Sequence, residues 1–173
     1  MDEKKLVKEN IGLEDAVNEY GSIVWNCKGQ SMKPLIRERV DYVVIEKPDR
    51  EIRPFDVVLY SRDTYKTGGG GVQRDYVLHR VIKREGDEFI ILGDNCVNLE
   101  RVPKSSIIGI MTGLKRNGKD FDLDGTWCRL YNNIWVKPYR IRKGITRLEF
   151  AAKRAGLKAF KGIKRIGRKS TDD

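Results

Sequence analysis

The chain has 173 residues, 39% hydrophobic and 35% charged, with a formal net charge of +10. That length suits one domain with an appendage, and no apolar run approaches the roughly 18 to 20 residues of a membrane-spanning helix. The opening, "MDEKKLVKEN", does not lead into the apolar core of a signal peptide, so the sequence reads as that of a cytoplasmic protein.

In chain order, Gly12 to Tyr20 carries Leu13, Ala16 and Val17 at helical spacing and predicts a short amphipathic helix ending at Gly21. The period then changes. "SIVWNC", "DYVVIEK", "FDVVLY", "YVLHRVIK", "EFIILG" and "SIIGIMTGL" are short runs rich in Val, Ile and aromatics, separated by turn-forming pieces. Strands at such close spacing, with no long helix between them, predict a mainly β, antiparallel and strongly curved domain.

Three pieces at strand edges carry candidate chemistry. "GQSMKPLI" sets Ser31 between Gly29 and Pro34, where a hydroxyl is either an ordinary turn residue or a nucleophile in need of a base. His79 in "YVLHRVIK" is the single histidine, a side chain able to accept a proton at neutral pH. "ILGDN" ends a β-run with Asp94 in a turn. Between the strands, "SRDTYKTGGGGVQRD", Ser61 to Asp75, predicts a mobile excursion; it lacks the Gly-Lys-Ser/Thr ending of a P-loop. Cys27, Cys96 and Cys128 have no paired metal-site spacing and read as free thiols of a reducing compartment.

From Lys137 to Lys169 there are 13 Lys or Arg and one acid, Glu149, so the rest of the chain nets −2. Ile141, Ile145, Leu148, Ala152, Ala155, Ala159, Ile163 and Ile166 mark one face of a basic amphipathic helix. Gly144, Gly156 and Gly162 weaken it by about 1 kcal/mol each relative to Ala. The expected division is therefore a β domain over residues 1–136 and a basic helical tail over 137–173. The helix either packs on the body with its basic face in water, or residues 137–169 meet an anionic membrane surface, in a peripheral association, or an acidic partner. A DNA-reading domain ahead of Ser31 is disfavoured, because too few residues precede it.

The three pieces together resemble the catalytic boxes of the signal peptidase I family, more closely its archaeal and endoplasmic-reticulum type than its bacterial type. Ser31, Met32 and Pro34 match the Gly/Ser-x-Ser-Met-x-Pro box. His79-Arg80-Val81 matches the box in which histidine replaces the bacterial-type lysine, and Gly93, Asp94 and Asn95 match the Gly-Asp-Asn box. Glu100 falls at the six-residue offset of the family's second acid. Gly29 stands where the family usually has a hydroxyl residue that assists the oxyanion hole, which leaves the Ser31 backbone N–H as donor.

The resemblance covers roughly Gly21 to Gly113. It implies a coiled antiparallel sheet or partly open barrel, and cleavage of a precursor or signal-like peptide after small residues through an acyl-enzyme. It also implies no metal or organic cofactor. Ser31 would be the nucleophile and His79 the general base, with Asp94, or alternatively Glu100, orienting the imidazole. Two other readings stand beside this one: a non-catalytic peptide-binding member of the same fold, and a protein that binds nucleic acid or another anionic surface through its tail. A salt-steep complex lost on deleting residues 137–173 would mark the last.

Overall fold

The computed structural model describes residues 12–65, 71–148 and 150–152. The helix predicted at the start is α1, Leu13–Tyr20, whose Ala16 and Val17 are fully buried against β1 and β7. Glu14 and Asp15 lie in its first turn, where the helix dipole favours negative charge. Gly21 ends it in the left-handed conformation at φ 72°.

Among the described residues eight strands follow: β1 Ser22–Trp25, β2 Asp41–Glu46, β3 Val57–Tyr65, β4 Val72–Glu85, β5 Glu88–Leu92, β6 Glu100–Pro103, β7 Ile107–Arg116 and β8 Lys119–Asp120. They form one antiparallel sheet in the order β1-β2-β7-β3-β4-β5-β6, with β8 paired to β7, and the sheet is not closed into a barrel. The mainly β, antiparallel class read from the sequence is the class observed. Register shifts at Val44/Ile45, Leu59/Tyr60 and Val81/Lys83 bend it, as an extra residue on one strand of a pair does.

Both faces are buried, and strand alternation sorts the side chains between them. On β3, Val57 and Leu59 join one apolar cluster with α1, Met32, Leu35 and Ile36. Val58 and Tyr60 join the other, with Val81, Phe89 and Ile91. The β3/β4 register sets Val58 opposite His79 and Val57 opposite Arg80, so these two neighbours point to opposite faces. That division decides the chemistry of both.

The segment Ser61 to Asp75 differs from its predicted excursion. β3 and β4 stay paired from Ser61↔Tyr76 out to Tyr65↔Val72, making a long hairpin arm; residues 66–70, which include three of the four consecutive glycines, lie outside the described residues. Polar side chains make the arm without a core. Thr64 Oγ1 donates to Asp75 at 2.9 Å, and Arg74 pairs with Asp63 at 3.6 Å and with Glu14 of α1 at 3.3 Å.

After β8 the chain forms α2, Thr126–Tyr131, a π-helical turn Asn132–Val136 and a further helix, α3, over residues 139–148 and 150–152. The expected tail boundary near residue 137 falls between that turn and α3. In α3 burial runs through Arg142 and Thr146, while Ile141 and Leu148 are 69% and 73% exposed. The stripe predicted as one apolar face therefore points outward over its described part, and the remainder, Ala155 to Ile166, lies outside the described residues. Among the described residues no helix is long and apolar enough to cross a membrane.

Gly109 on β7 is a close-approach position: a Cβ there would lie 2.5 Å from Ile45 Cγ2 and 2.9 Å from the Glu46 carbonyl oxygen. Since the second contact is backbone, the β2/β7 pair has to shift to accept a side chain. Gly109→Ala is expected to destabilise the fold by about 1 to 3 kcal/mol, read as a lower urea midpoint with little change in slope.

Candidate active site

Ser31 sits in a turn whose underside is nailed to the core by Met32, Leu35 and Ile36, all buried. Gly29, at φ 104°, supplies the left-handed step that enters the turn, and its N–H donates to Glu38 Oε1 at 3.0 Å. The Lys33–Pro34 peptide is cis. Beyond the turn, Asp41 is fully buried and accepts from Arg37 and from Arg116, whose NH2 also donates to the Leu35 carbonyl at 2.8 Å. Burial alone would raise the Asp41 carboxyl; bonds from Arg116 and Arg37 outweigh it and hold the group below its ordinary value. The serine turn is thus clamped at its far end by an ion pair.

On its near side Ser31 meets the Gly-Asp-Asn turn. The Asn95 N–H donates to the Ser31 carbonyl at 2.7 Å, and Asn95 Nδ2 donates to the Gln30 carbonyl at 3.1 Å. Gly93 is where the three pieces converge. A Cβ at this position would lie 2.8 Å from the Ser31 carbonyl oxygen, 2.9 Å from His79 Nε2 and 2.7 Å from Cys96 Sγ. Serine backbone and imidazole can therefore be no farther apart than the sum of their two distances from that point. Only glycine fits there without displacing one of them.

His79 is almost wholly buried, and its Nδ1 faces acceptors. Glu100 Oε1 lies 3.4 Å away and the Tyr60 hydroxyl oxygen 3.3 Å away. The Tyr60 proton is committed elsewhere, since its hydroxyl donates to Glu100 Oε2 at 2.9 Å, as does Arg62 NH1 at 2.7 Å. These bonds assign the ring proton to Nδ1 and leave the Nε2 lone pair on the Gly93 and Ser31 side. Hydrogen bonding from His79, together with Tyr60 and Arg62, holds the Glu100 carboxyl down at about 2 despite partial burial. Burial, with Glu100 second, pushes the Tyr60 hydroxyl well above its ordinary value, so it stays a proton donor to the carboxylate.

Asp94 has a different task from the one expected of it. It is fully buried and accepts from Arg80 Nε at 2.9 Å and NH2 at 2.7 Å, from the Tyr131 hydroxyl at 2.7 Å and from Arg142 NH1 at 3.3 Å. Its carbonyl accepts from Trp135 Nε1 at 3.1 Å. Because Arg80 and His79 alternate on β4, the carboxylate that binds Arg80 is committed to the face opposite the imidazole. Of the two acids weighed as orienting groups, Glu100 is the one in contact with His79.

Ser31, Met32, His79, Asn95 and Glu100 line one cleft of about 710 Å³, bounded also by Trp25, Tyr76, Cys96 and Phe150 of α3. Its walls mix apolar side chains with polar and charged ones in comparable measure, among them Lys28, Gln30, Arg62 and Asp75. Pro34 lies outside it, on an apolar groove beside α2. Sequence reading missed Tyr60 and Arg62, which lie two and four residues past the His79 partner Val58 on the same face of β3. Tyr60 looks like any core tyrosine, and Arg62 was assigned to a loop. The thiols of Cys27, Cys96 and Cys128 are free; burial pushes Cys27 up to about 12 and raises Cys96 as well.

Searches with family models and against curated proteins return no match.

The two acids should separate experimentally. Asp94→Asn leaves buried Arg80 and Arg142 without their counter-charge and should cost about 3 to 5 kcal/mol of stability. Glu100→Gln should fold. The Glu100 carboxyl is depressed from 4.5 to about 2, so its contribution to stability is complete above 4.5 and disappears as pH falls toward 2. Chemical denaturation against pH should find wild type more stable than Glu100→Gln near neutrality and the two curves converging in acid.

Proposed function

We propose that the protein is a serine endopeptidase in which Ser31 is the nucleophile and His79 the general base. What supports this reading above all is the imidazole: Nδ1 is occupied by Glu100 and Tyr60, and Nε2 is directed at the point where the serine turn meets Gly93. A base with one nitrogen fixed by a carboxylate and the other free toward a hydroxyl-bearing turn is the arrangement that activates a nucleophile. The resemblance of the Ser31, His79 and Gly93-Asp94-Asn95 pieces to the signal peptidase I boxes points the same way. Substrates are then precursor peptides with small residues before the cut.

In this reaction Ser31 Oγ attacks the scissile carbonyl carbon while His79 Nε2 takes the hydroxyl proton. The imidazolium, stabilised by Glu100, donates that proton to the leaving amine as the C–N bond breaks, which leaves an acyl ester on Ser31. Water, deprotonated by the same nitrogen, then attacks the ester, and the proton returns to Oγ as the peptide acid departs. The Ser31 N–H is the first candidate donor for the oxyanion. Hydrogen bonds from His79 and Tyr60, with Arg62 alongside, keep Glu100 charged, so the carboxylate remains a counter-ion throughout. Asp94 acts at one remove, by holding Arg80 and, through the next residue, the Asn95 N–H that fixes the serine turn.

The test is cleavage of a peptide library with small residues one and three positions before the scissile bond, followed by mass spectrometry from about pH 6 to 9. Wild type should cut, and Ser31→Ala and His79→Ala should not. A wild type that binds these peptides without cutting them at any pH would make the protein a peptide-binding module. Gly93→Ala supplies a geometric check, because its methyl group presses on both the Ser31 carbonyl and Nε2. It should lower kcat by about 100-fold, the scale of an ångström-sized misplacement, while KM changes little.

A further inference from the structure

The C-terminal elements carry an apolar surface that no other described residues cover. On α2 and the turn after it, Trp127, Leu130 and Ile134 are all exposed. With Pro34, Tyr131 and Trp135 they line a shallow, almost wholly apolar groove of about 240 Å³. Trp127 is held flat by stacking on Tyr131, ring centroids 5.1 Å apart. On α3, Ile141, Ile145 and Leu148 form an exposed stripe at steps of four and three, because Arg142 and Thr146 take the inward side.

Charge defines what such a surface fits. From residue 126 to 148 there are six Lys or Arg and no Asp or Glu. Arg142 is buried on Asp94, whereas Arg129, Lys137, Arg140 and Arg147 are exposed among the apolar side chains. A helical surface on which Trp, Leu and Ile alternate with cations, and whose sequence from 126 to 152 holds the single acid Glu149 against six Lys or Arg, matches the boundary of an anionic bilayer, where apolar side chains enter the acyl region and guanidinium or ammonium groups reach phosphate. A second copy of this chain would bring like charges together at the same patch.

We infer that α2, the π-helical turn and α3 form a docking face for an anionic lipid surface. The inference deepens the partner expectation for the tail by moving the contact onto Trp127, Leu130 and Ile134 and onto an outward stripe of α3. It also sets the cleft beside the lipid: Pro34, three residues after Ser31, lines the apolar groove, and Phe150 of α3 lines the cleft. Peptides anchored in or adsorbed to a bilayer are then presented at the site. The docking face is independent of the peptidase reading, since it involves neither Ser31 nor His79.

The experiment is flotation of the full-length protein with vesicles of phosphatidylcholine alone and of phosphatidylcholine with phosphatidylglycerol. Two triple variants are compared, Trp127→Ser/Leu130→Ser/Ile134→Ser and Ile141→Ser/Ile145→Ser/Leu148→Ser, with circular dichroism and melting to establish folding. The second set avoids the Trp127 stacking contact, so it remains informative if the first loses stability. Wild type and Ser31→Ala should float with the phosphatidylglycerol vesicles and not with the neutral ones. Each folded variant should lose roughly tenfold or more in partitioning. Full binding by the variants would mean attraction by charge alone and would overturn the proposal. So would the absence of wild-type binding, equal binding to neutral vesicles, or concentration-dependent self-association that the variants abolish.

Discussion

A carboxylate with no contact to water holds α2 and α3 to the sheet. Asp94 lies at the end of β5, and its oxygens gather a guanidinium from β4, a phenol from α2 and a second guanidinium from α3. Burying such a charge is costly unless its lone pairs are filled by good donors. The position of each partner is dictated by that requirement. Arg80 has to point away from the imidazole side of β4, Tyr131 has to end α2 over the turn, and α3 has to present Arg142 rather than an isoleucine to the body. The outward stripe of α3 follows from the same demand, since a helix cannot bury both arcs against one surface.

Strand alternation then gives the cleft its separate electrostatics. His79 and Arg80 are adjacent in sequence, yet each finds its own acid on its own face. Glu100 enters from β6, the edge strand, and Tyr60 and Arg62 enter from β3, three strands away across the curved sheet, so the carboxylate at Nδ1 is fixed from both sides. Polar groups that share no atoms with the Asp94 cluster can be tuned independently of it. The cleft thus has its imidazole oriented by one network and its Ser31 turn positioned by another, with Gly93 and Asn95 as their meeting point.

Much of this arrangement was legible in the residues. The period change after Gly21 marks the passage from helix to strands, and the Ser31, His79 and Gly93 pieces do meet, although His79 lies in the middle of β4 and Ser31 in the loop between β1 and β2 rather than at strand edges. What could not be read was partner choice. Asp94 and Glu100 are both plausible neighbours of a histidine in one dimension. Only the β3/β4 register, which sends residues 79 and 80 to opposite faces, separates them. The hairpin arm was hidden for a related reason: its side chains are mostly polar, and the apolar ones at its tip, Tyr65 and Val72, are exposed, so it has pairing without a core and no hydrophobic alternation to detect. In α3 the apolar stripe was visible, but periodicity alone assigns no direction to a face, and the ion cluster that turns it outward draws on residues 94, 131 and 142.

The Asp94 cluster does not balance. Two guanidiniums share one carboxylate, and among the described residues Arg142 finds no hydrogen-bond partner for its Nε and NH2 although its side chain is 1% exposed. The inequality shows in proton affinity. Burial depresses Arg142, while for Arg80 the attraction of Asp94 outweighs burial and raises it. A buried donor left unpaired costs on the order of 1 to 3 kcal/mol, so Arg80 belongs to the permanent frame and Arg142 to a looser join. Under thermal fluctuation the molecule has a built-in seam: α3 opens from the sheet before the sheet itself gives way, and the wall of the cleft that carries Phe150 opens with it.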